Sequence, residues 1–150
     1  MIIIAPLDPF TAGFDVLLEE SRQEGQRMLV RLRDNWNSGA NRFELLGEVL
    51  KGVFYVGNRG PEPQLVATGG RNVDPYSNER HAGRIRHVYV MPSMRRQGVG
   101  QLLIEHLVED ASRYFNYLNT HAPETAHAFY QRLGFEPVSG DNHVTHRLAL

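Results

Sequence analysis

The residues best suited to chemistry form the pattern Arg-x-x-Gly-x-Gly at positions 95–100, between a β-rich segment and an apolar, helix-like one. Gly98 and Gly100 leave out side chains where a ligand must approach the backbone. The first N–H groups of a helix that begins here have no partner inside the helix, and they lie at its positive end. Arg95 and Arg96 can add charge-assisted hydrogen bonds to an anion. The pattern predicts a site for phosphate or pyrophosphate, although a plain strand-to-helix turn with glycines for tightness uses the same residues.

The glycine spacing narrows the choice of anion. A dinucleotide-binding fold requires Gly-x-Gly-x-x-Gly, and Leu103 stands where the third glycine would be. A P-loop requires Gly-Lys followed by Ser or Thr, and the sequence has no such tripeptide. Both nucleotide folds therefore fit these residues less well than a coenzyme A site does.

These residues resemble the acetyl-coenzyme A signature of the general-control-related N-acetyltransferase (GNAT) superfamily. That signature is Gln/Arg-x-x-Gly-x-Gly/Ala, and Arg95, Gly98 and Gly100 match it. It follows a strand with an apolar-Val-x-Pro ending, which is matched at positions 89–92. A second block of the family, Ala-x-x-Phe-Tyr-x-x-Leu-Gly-Phe, is matched at positions 126–135. Two independent motifs in the correct order identify the chain as a member at superfamily level.

The resemblance implies an acetyl-coenzyme A site built mainly from backbone groups. In the family, the pantetheine arm lies where two parallel strands splay apart and bonds to the first of them like an added strand. The pyrophosphate lies on the glycine-containing loop. Carried over, the cofactor-binding residues are Val88, Val90, Met91, Arg95, Arg96, Gln97, Gly98, Val99 and Gly100. Many relatives have Asn where this chain has Pro123, which removes one donor to the arm.

The resemblance also implies catalytic residues. The family often uses a tyrosine at the position of Tyr130 as general acid to the leaving thiolate, and the same residue fits a core stripe of its helix. The N–H of Val90 is a candidate donor to the oxyanion. His87 has an ordinary pKa suited to a general base, and a surface histidine is the competing interpretation. Three further candidate bases, which the sequence does not rank, are Glu44, Glu48 and Glu79.

The implied reaction is transfer of an acetyl group from acetyl-coenzyme A to an amine by direct attack on the thioester. The expected acceptor is a small-molecule amine or a protein amine, and a homodimer is compatible with the resemblance. A non-enzymatic acyl-coenzyme A sensor that kept the cofactor loop is the alternative. A different nucleotide-binding domain is a third class.

The elements that must position these residues follow from hydrophobic periodicity and turn residues. Two helices are predicted within residues 11–37, a hairpin at 49–57 and 64–71 around a turn at 58–63, a strand at 84–91, a helix at 98–115, a strand at 117–120, a helix at 124–133, and a hairpin at 136–138 and 143–150. The strand–helix–strand–helix unit requires two parallel strands. The predicted class is therefore α/β, with a mixed central sheet of about six to seven strands, helices on both faces, and the splay that the resemblance implies.

Composition limits the remaining classes. The 150 residues fit one domain, taken as a single N-acetyltransferase domain over 1–150. With 16 basic and 17 acidic residues, the net charge of −1 is unlike that of a nucleic-acid binder, so no nucleic-acid partner is expected. The seven histidines show no convergent ligand spacing, and the absence of cysteine excludes thiolate ligands, so no metal is expected. No secretory signal or apolar run of about 18 residues is present, which predicts a cytoplasmic protein without a membrane partner.

Overall fold

A computed structural model describes residues 1–57, 60 and 62–150. In this part of the chain, a seven-stranded sheet is accompanied by four α-helices. The strands are β1 (Ile2–Pro6), β2 (Val49–Tyr55), β3 (Gln64–Val73), β4 (Ala82–Val90), β5 (Tyr117–Thr120), β6 (Glu136–Pro137) and β7 (His146–Ala149). The helices are α1 (Phe14–Gln23), α2 (Met28–Ser38), α3 (Val99–Val108) and α4 (His127–Arg132). The predicted turn at 58–63 lies partly outside the described residues, but the strands on either side of it pair antiparallel as predicted.

The sheet is mixed, as predicted. Its strand order is β1-β2-β3-β4-β5-β7-β6. The pair β4 and β5 is parallel, and the other described pairs are antiparallel. The predicted α/β class and the predicted mixed sheet of about six to seven strands are therefore confirmed.

The predicted element order, which begins with two helices, is wrong at the N-terminus. Residues Ile2 to Pro6 form an edge strand that pairs with β2, from Ile2 opposite Tyr55 to Pro6 opposite Lys51. Pro6 is tolerated because an edge strand has one side without ladder partners. The apolar run at the N-terminus has only five residues before Pro6 interrupts it, which is a weak strand signal.

Helices cover both faces of the sheet, and two consecutive glycines of β3 allow them to pack closely. A Cβ on Gly69 would lie 2.8 Å from Leu103 Cδ2 of α3. A Cβ on Gly70 would lie 2.7 Å from Phe43 Cε1. Since neighbouring residues of a strand face opposite sides, α3 lies on one face and the segment after α2 lies on the other.

Helix α3 ends earlier than the predicted residue 115 because a buried arginine binds its last turn. Arg71 of β3 donates to the carbonyl of Leu107 (2.6 Å) and to the carboxylate of Asp110 (2.7 Å). The Leu107 carbonyl would otherwise accept the N–H of Ala111 in a continuing helix. A separate 3₁₀ turn follows at Ala111–Arg113.

The helix predicted at 124–133, which carries the second family motif, is split into two parts. Residues Glu124–Ala126 form a 3₁₀ turn that precedes α4, and Pro123 is the residue just before that turn. Gly134 ends the segment with a φ of +93°, as its position in the motif predicts. The helix places the Tyr130 ring in the core against Phe129 and Phe135.

The parallel pair β4 and β5 is short. Its register joins Ala82 to Tyr117, Gly83 to Leu118 and Arg84 to Asn119. Beyond this point the Thr120 hydroxyl donates to the Ile85 carbonyl (3.3 Å), and β5 ends. Strand β4 continues for five more residues without β5 beside it, so the two strands diverge at the end of the sheet where β4 leads into α3.

Candidate active site

The loop between β4 and α3 presents a row of backbone donors. Within the described residues, no protein acceptor binds the N–H groups of residues 96 to 101, and the first partnered N–H is that of Leu102, which bonds the Gly98 carbonyl (3.0 Å). Gly98 is the N-terminal cap of α3 with a φ of +81°. Gln97 holds the loop through its side chain, which donates to the Ser93 carbonyl (3.1 Å). Six successive free donors at the positive end of a helix are suited to an anion.

The two glycines of the motif have different roles. A Cβ on Gly98 would meet no atom within 4 Å, so this side of the loop is open to a ligand. A Cβ on Gly100 would touch Phe129 at 3.4 Å and Val90 at 3.6 Å. Both distances are ordinary van der Waals contacts, so the start of α3 packs against α4 and β4 at Gly100. Val99 beside it turns its side chain into the core. Val99 and Gly100 can therefore offer an anion only their backbone N–H groups, and their role in cofactor binding stays a prediction.

The side chain of Arg95 does not contribute to this row of donors. Its Nε donates to the Val90 carbonyl (2.9 Å), and its two terminal nitrogens bind both carboxylate oxygens of Glu24 (2.8 and 2.6 Å). The predicted charge-assisted bond from Arg95 to an anion therefore has no support in this geometry. Arg96 has a φ of +62°, is exposed, and follows directly, so it is the arginine of the motif whose predicted role is compatible with the structure.

On the edge of β4 that β5 leaves open, only every second residue presents its backbone N–H and C=O groups. The N–H of Met91 donates to Val66 of β3 (2.8 Å), and the Met91 carbonyl accepts from Met94 (2.9 Å). Both backbone groups of Met91 are thus paired, which disagrees with its prediction as a main-chain ligand. Adjacent strand residues direct their groups to opposite sides, so the N–H of Val90 faces the side from which β5 has diverged, and Val88 lies on the same edge.

His87 lies at a β-bulge in β4. The register with β3 shifts between Thr68 and Gly70, so that two residues of β4 lie opposite Gly69. His87 has a φ of +59°, unusual for a residue other than glycine. Bulges and such backbone strain occur often beside functional sites.

The His87 imidazole is buried, so the interpretation as a surface histidine is wrong. Its Nδ1 lies 3.1 Å from the Met28 carbonyl, which assigns the proton to Nδ1, and its buried Nε2 has no partner among the described residues. Burial, with a smaller contribution from nearby Arg86, lowers the pKa of His87 to about 3. Such an imidazole is neutral at pH 7 and is a weak acceptor for the proton of an ammonium group. The general-base role stays a prediction that this environment disfavours.

Tyr130 lies beside the point where β4 and β5 part. Its hydroxyl is near Thr120, the last residue of β5, which bonds Ile85 of β4. Burial raises the pKa of Tyr130 to about 12, and the Thr120 hydroxyl opposes this shift. The phenol is therefore protonated throughout the neutral range and can donate. The structure brings this residue to the divergence, where the predicted acid would have to be.

The three carboxylates considered as bases lie at the other end of the sheet or on its surface. Glu48 accepts from Leu45 N–H (3.0 Å), from Asn72 Nδ2 (2.8 Å) and from Val73 N–H (2.9 Å). Val73 pairs with Gly83, which is seven residues before Val90, or about 23 Å along an extended strand. Glu48 therefore fixes a turn to β3. The other two candidates, Glu44 and Glu79, are exposed.

Two residues that the sequence did not assign lie at the site. Glu24, just after α1, binds Arg95 and accepts a hydrogen bond from the Tyr89 hydroxyl (2.5 Å). Tyr89 belongs to the strand motif, but the motif asks only for an apolar residue there. Glu24 is 71 residues from Arg95, and no local pattern marks it.

A groove of about 460 Å³ lies away from this site. It is lined by residues that precede β4 and β5, among them Arg80, His81 and Arg113. The strand divergence instead is an open slot at the opposite end of these two strands. An anion held by exposed N–H groups at the start of a helix needs no enclosed cavity.

Two other site classes find no support in the part of the chain that the structure describes. No group of three or more His, Asp or Glu side chains is placed to hold a metal ion. None of the described helices combines the length and apolar character that crossing a bilayer requires.

Comparison with known proteins agrees with the geometry. A family model described as an acetyltransferase (GNAT) domain matches residues 51–137, which is more than half of the chain. A solved structure from Exiguobacterium sp. 255-15, considered to be an acetyltransferase, is 32% identical with a TM-score of 0.84, and the match covers 99% of this chain and 93% of that one. A GNAT-family acetyltransferase from Streptococcus pneumoniae has 14% identity and a TM-score of 0.66 over 100% of both chains, which shows the shared fold alone.

A curated relative adds a sequence match of limited extent. A tRNA(Met) cytidine acetyltransferase from Citrobacter koseri is 33% identical over 102 residues. The match covers 65% of this chain and 15% of that protein, so the chain spans a small part of the relative's length.

The buried, neutral His87 should make stability depend on pH. Between pH 6.5 and about 3 the unfolded chain binds a proton at this residue and the folded chain does not, so the free energy of unfolding falls as the pH falls. The contribution of this group between pH 7 and pH 4 is about 3 kcal/mol. His87→Asn, which tolerates the left-handed φ, should reduce that loss in denaturant titrations at the two pH values. His81→Asn, an exposed control, should leave the loss unchanged, and an equal loss in wild type and His87→Asn would refute the assignment.

If the free N–H groups bind the phosphates, a negative charge placed at Gly98 should weaken the binding of acetyl-coenzyme A. Gly98→Asp and Gly98→Asn place side chains of equal size on a backbone that both tolerate, and they differ only in charge. In calorimetric titrations with acetyl-coenzyme A, the Asp variant should bind at least about tenfold more weakly than the Asn variant. Equal affinities would place the phosphates elsewhere.

Proposed function

The chain belongs to the GNAT acetyltransferase family, and from this premise we propose that it transfers the acetyl group of acetyl-coenzyme A to an amine. The observation that supports this most strongly is the joint placement of two features at one end of the sheet. Six free N–H groups precede and begin α3, and the edge of β4 beside them is open because β5 has diverged. A ligand with a pyrophosphate joined to an extended amide-containing arm fits both features at once.

In this proposal the residues that bind the substrate act mainly through backbone. The N–H groups of residues 96–101 take the pyrophosphate, with Arg96 as the charged side chain nearest to them in sequence. The open edge of β4 at Val88 pairs with the pantetheine arm, as an added strand would, and the N–H of Val90 is kept for the thioester carbonyl. Met91 contributes by holding the loop and not by binding the arm.

The reaction is direct acyl transfer. The amine nitrogen attacks the thioester carbonyl carbon, a C–N bond forms, the C–S bond breaks, and the electron pair of that bond leaves on sulfur. The N–H of Val90, on the open edge, stabilises the negative charge that develops on the carbonyl oxygen. The proton released by the amine goes to water, and the sulfur takes one up to leave as a thiol.

Tyr130 assists the leaving group as a hydrogen-bond donor. A thiolate of this type has a pKa near 8.5, whereas the pKa of Tyr130 is raised to about 12. Complete transfer of the phenol proton to sulfur is uphill by about 5 kcal/mol on this difference. A hydrogen bond from the phenol still stabilises the charge that develops on sulfur, and solvent completes the protonation.

The acceptor reacts as the neutral amine. At pH 7, deprotonating an amine of pKa near 10.4 costs about 4.6 kcal/mol. His87 is too weak a base to accept this proton, and Glu48 is held by three hydrogen bonds. The amine therefore loses its proton to water before attack, and acceptors of lower pKa are favoured among amines of similar shape.

The test is an acceptor panel that follows free thiol. Purified protein is given acetyl-coenzyme A and small amines, a lysine-containing peptide, a peptide with a free N-terminus, and single-stranded RNA, since the curated relative is named for a tRNA base. Thiol release with at least one acceptor, together with the acetylated product by mass spectrometry, supports the proposal. Binding of acetyl-coenzyme A without turnover across the panel favours the acyl-coenzyme A sensor instead.

Tyr130→Phe should separate chemistry from binding. The variant keeps the ring in the core but loses the donor, so kcat should fall about a hundredfold while the affinity for acetyl-coenzyme A changes less than about twofold. Tyr55→Phe removes a hydroxyl from a partly exposed tyrosine of β2 and serves as the control. A Tyr130→Phe enzyme with the wild-type kcat would remove Tyr130 from the mechanism.

A further inference from the structure

Arg95 is the leading residue of the cofactor motif, yet its hydrogen bonds point to another role. All three kinds of guanidinium nitrogen are engaged: Nε with the Val90 carbonyl, and the two terminal nitrogens with the two oxygens of Glu24. Two parallel N–H···O bonds to one carboxylate form the strong, geometrically specific arrangement for arginine. A phosphate would have to displace Glu24 to take the fork of Arg95, and would otherwise have only the one remaining N–H of each terminal nitrogen.

The environment reinforces the pair. The Tyr89 hydroxyl donates to the same carboxylate, and the Arg95 guanidinium lies over the Tyr89 ring at 5.4 Å. The hydrogen bond from Arg95 holds the pKa of Glu24 below its usual range, and the pKa of Arg95 is raised by the same bond. Both groups are therefore charged at neutral pH. The side chains of Arg95 and Glu24 are 40% and 32% exposed, so the ion pair is partly shielded from solvent.

The ion pair between Glu24 and Arg95 joins two parts of the molecule, the end of α1 and the loop before α3. Glu24 directly follows α1 and begins the turn to α2, and its N–H still bonds the carbonyls of Glu20 and Ser21. Arg95 directly follows the 3₁₀ turn at Pro92–Met94 and precedes the free N–H row. The helical hairpin is thus fastened to the cofactor loop.

The third bond of Arg95 acts on the open strand edge. The Val90–Met91 peptide is held from both sides, because the Val90 carbonyl accepts from Arg95 Nε and the Met91 N–H donates to Val66. Fixing this plane limits the rotation about Val90 and with it the direction of the Val90 N–H, which lies on the other side of the same Cα. The neighbouring N–H of Val90 is the donor that the proposed function assigns to the oxyanion. Displacing such a donor by a fraction of an ångström weakens its bond to the transition state more than its bond to the ground state.

We propose that Glu24 and Arg95 are positioning residues for acetyl transfer, in which Glu24 fixes the Arg95 fork and Arg95 fixes the Val90 peptide and the loop before α3. Arg95 is therefore not a phosphate ligand in this chain, despite leading the cofactor motif. This inference rests on the proposed function. It predicts that the two side chains act as one unit, so that removing either has the effect of removing both.

The kinetic test uses Glu24→Gln, Arg95→Gln, Arg95→Lys and the double variant Glu24→Gln/Arg95→Gln. Each should lower kcat by about tenfold or more, the double variant should be no worse than either single variant, and the Kd for acetyl-coenzyme A should change less than about threefold. Arg95→Lys should not rescue, because lysine keeps the charge but not the fork or the Nε bond. Glu19→Gln and Arg22→Gln break an exposed ion pair on the same helix and are the matched controls, with activity unchanged.

A phosphate-binding role for Arg95 gives the opposite pattern. Arg95→Gln would then weaken acetyl-coenzyme A binding by at least about tenfold, Arg95→Lys would restore it, and Glu24→Gln would leave binding equal or tighter by freeing the guanidinium. That pattern would overturn the inference. Additive losses in the double variant would also overturn it, because they would show that the two residues act separately.

A readout independent of turnover separates this inference from the proposed function. Amide hydrogen exchange by NMR should be faster in Glu24→Gln than in wild type at the hydrogen-bonded amides of Met91, Met94, Arg95 and residues 24–26, and unchanged there in Glu19→Gln. Equal exchange in Glu24→Gln and wild type would refute the positioning role even if the protein is active. A wild-type protein that neither binds acetyl-coenzyme A nor releases thiol would refute the proposed function, and the exchange comparison would still decide whether the pair holds the loop.

Discussion

The early parting of β4 and β5 is the constraint on which the site depends. Three residue pairs join the two strands, and the hydroxyl of Thr120 makes the last connection. After that the groups around β5 are drawn toward β7, since the Thr120 carbonyl accepts from Thr145 N–H (2.9 Å) and Ala122 N–H donates to the Thr145 hydroxyl (2.9 Å). The final residues of β4 are left with one paired edge and one open edge. An open strand edge inside a fold is a place for another extended chain to pair.

The electrostatics of the site follow from where α3 begins. The helix starts at a left-handed glycine, so its first N–H groups are exposed toward the end of β4 and remain without partners in the described residues. Beside this loop, Arg95 and Glu24 form an ion pair and neutralise each other. The attraction for an anion therefore arises mainly from backbone dipoles and from Arg96, which leaves Arg95 available for a mechanical role.

Local patterns in the sequence were sufficient for much of the fold. The β-branched run before Pro92, the Gly98–Gly100 motif and the helix closed by Gly134 each depend on residues near one another in the chain, and each is where the sequence predicted it. Features that depend on distant partners were missed or misjudged. The end of α3 is set by Arg71, 36 residues from the Leu107 carbonyl that it binds, and the partner of Arg95 is Glu24, 71 residues away. The burial of His87 depends on Met28 and Phe43, which no strand periodicity reveals.

The most direct measurement of the central claim is an NMR titration of backbone amides with acetyl-coenzyme A. If the free donors before α3 hold the pyrophosphate and the edge of β4 pairs with the arm, the largest shifts and the strongest new protection from exchange will occur at residues 96–101 and at Val88 and Val90. Shifts concentrated instead in the groove lined by Arg80, His81 and Arg113, with residues 96–101 unchanged, would contradict the account.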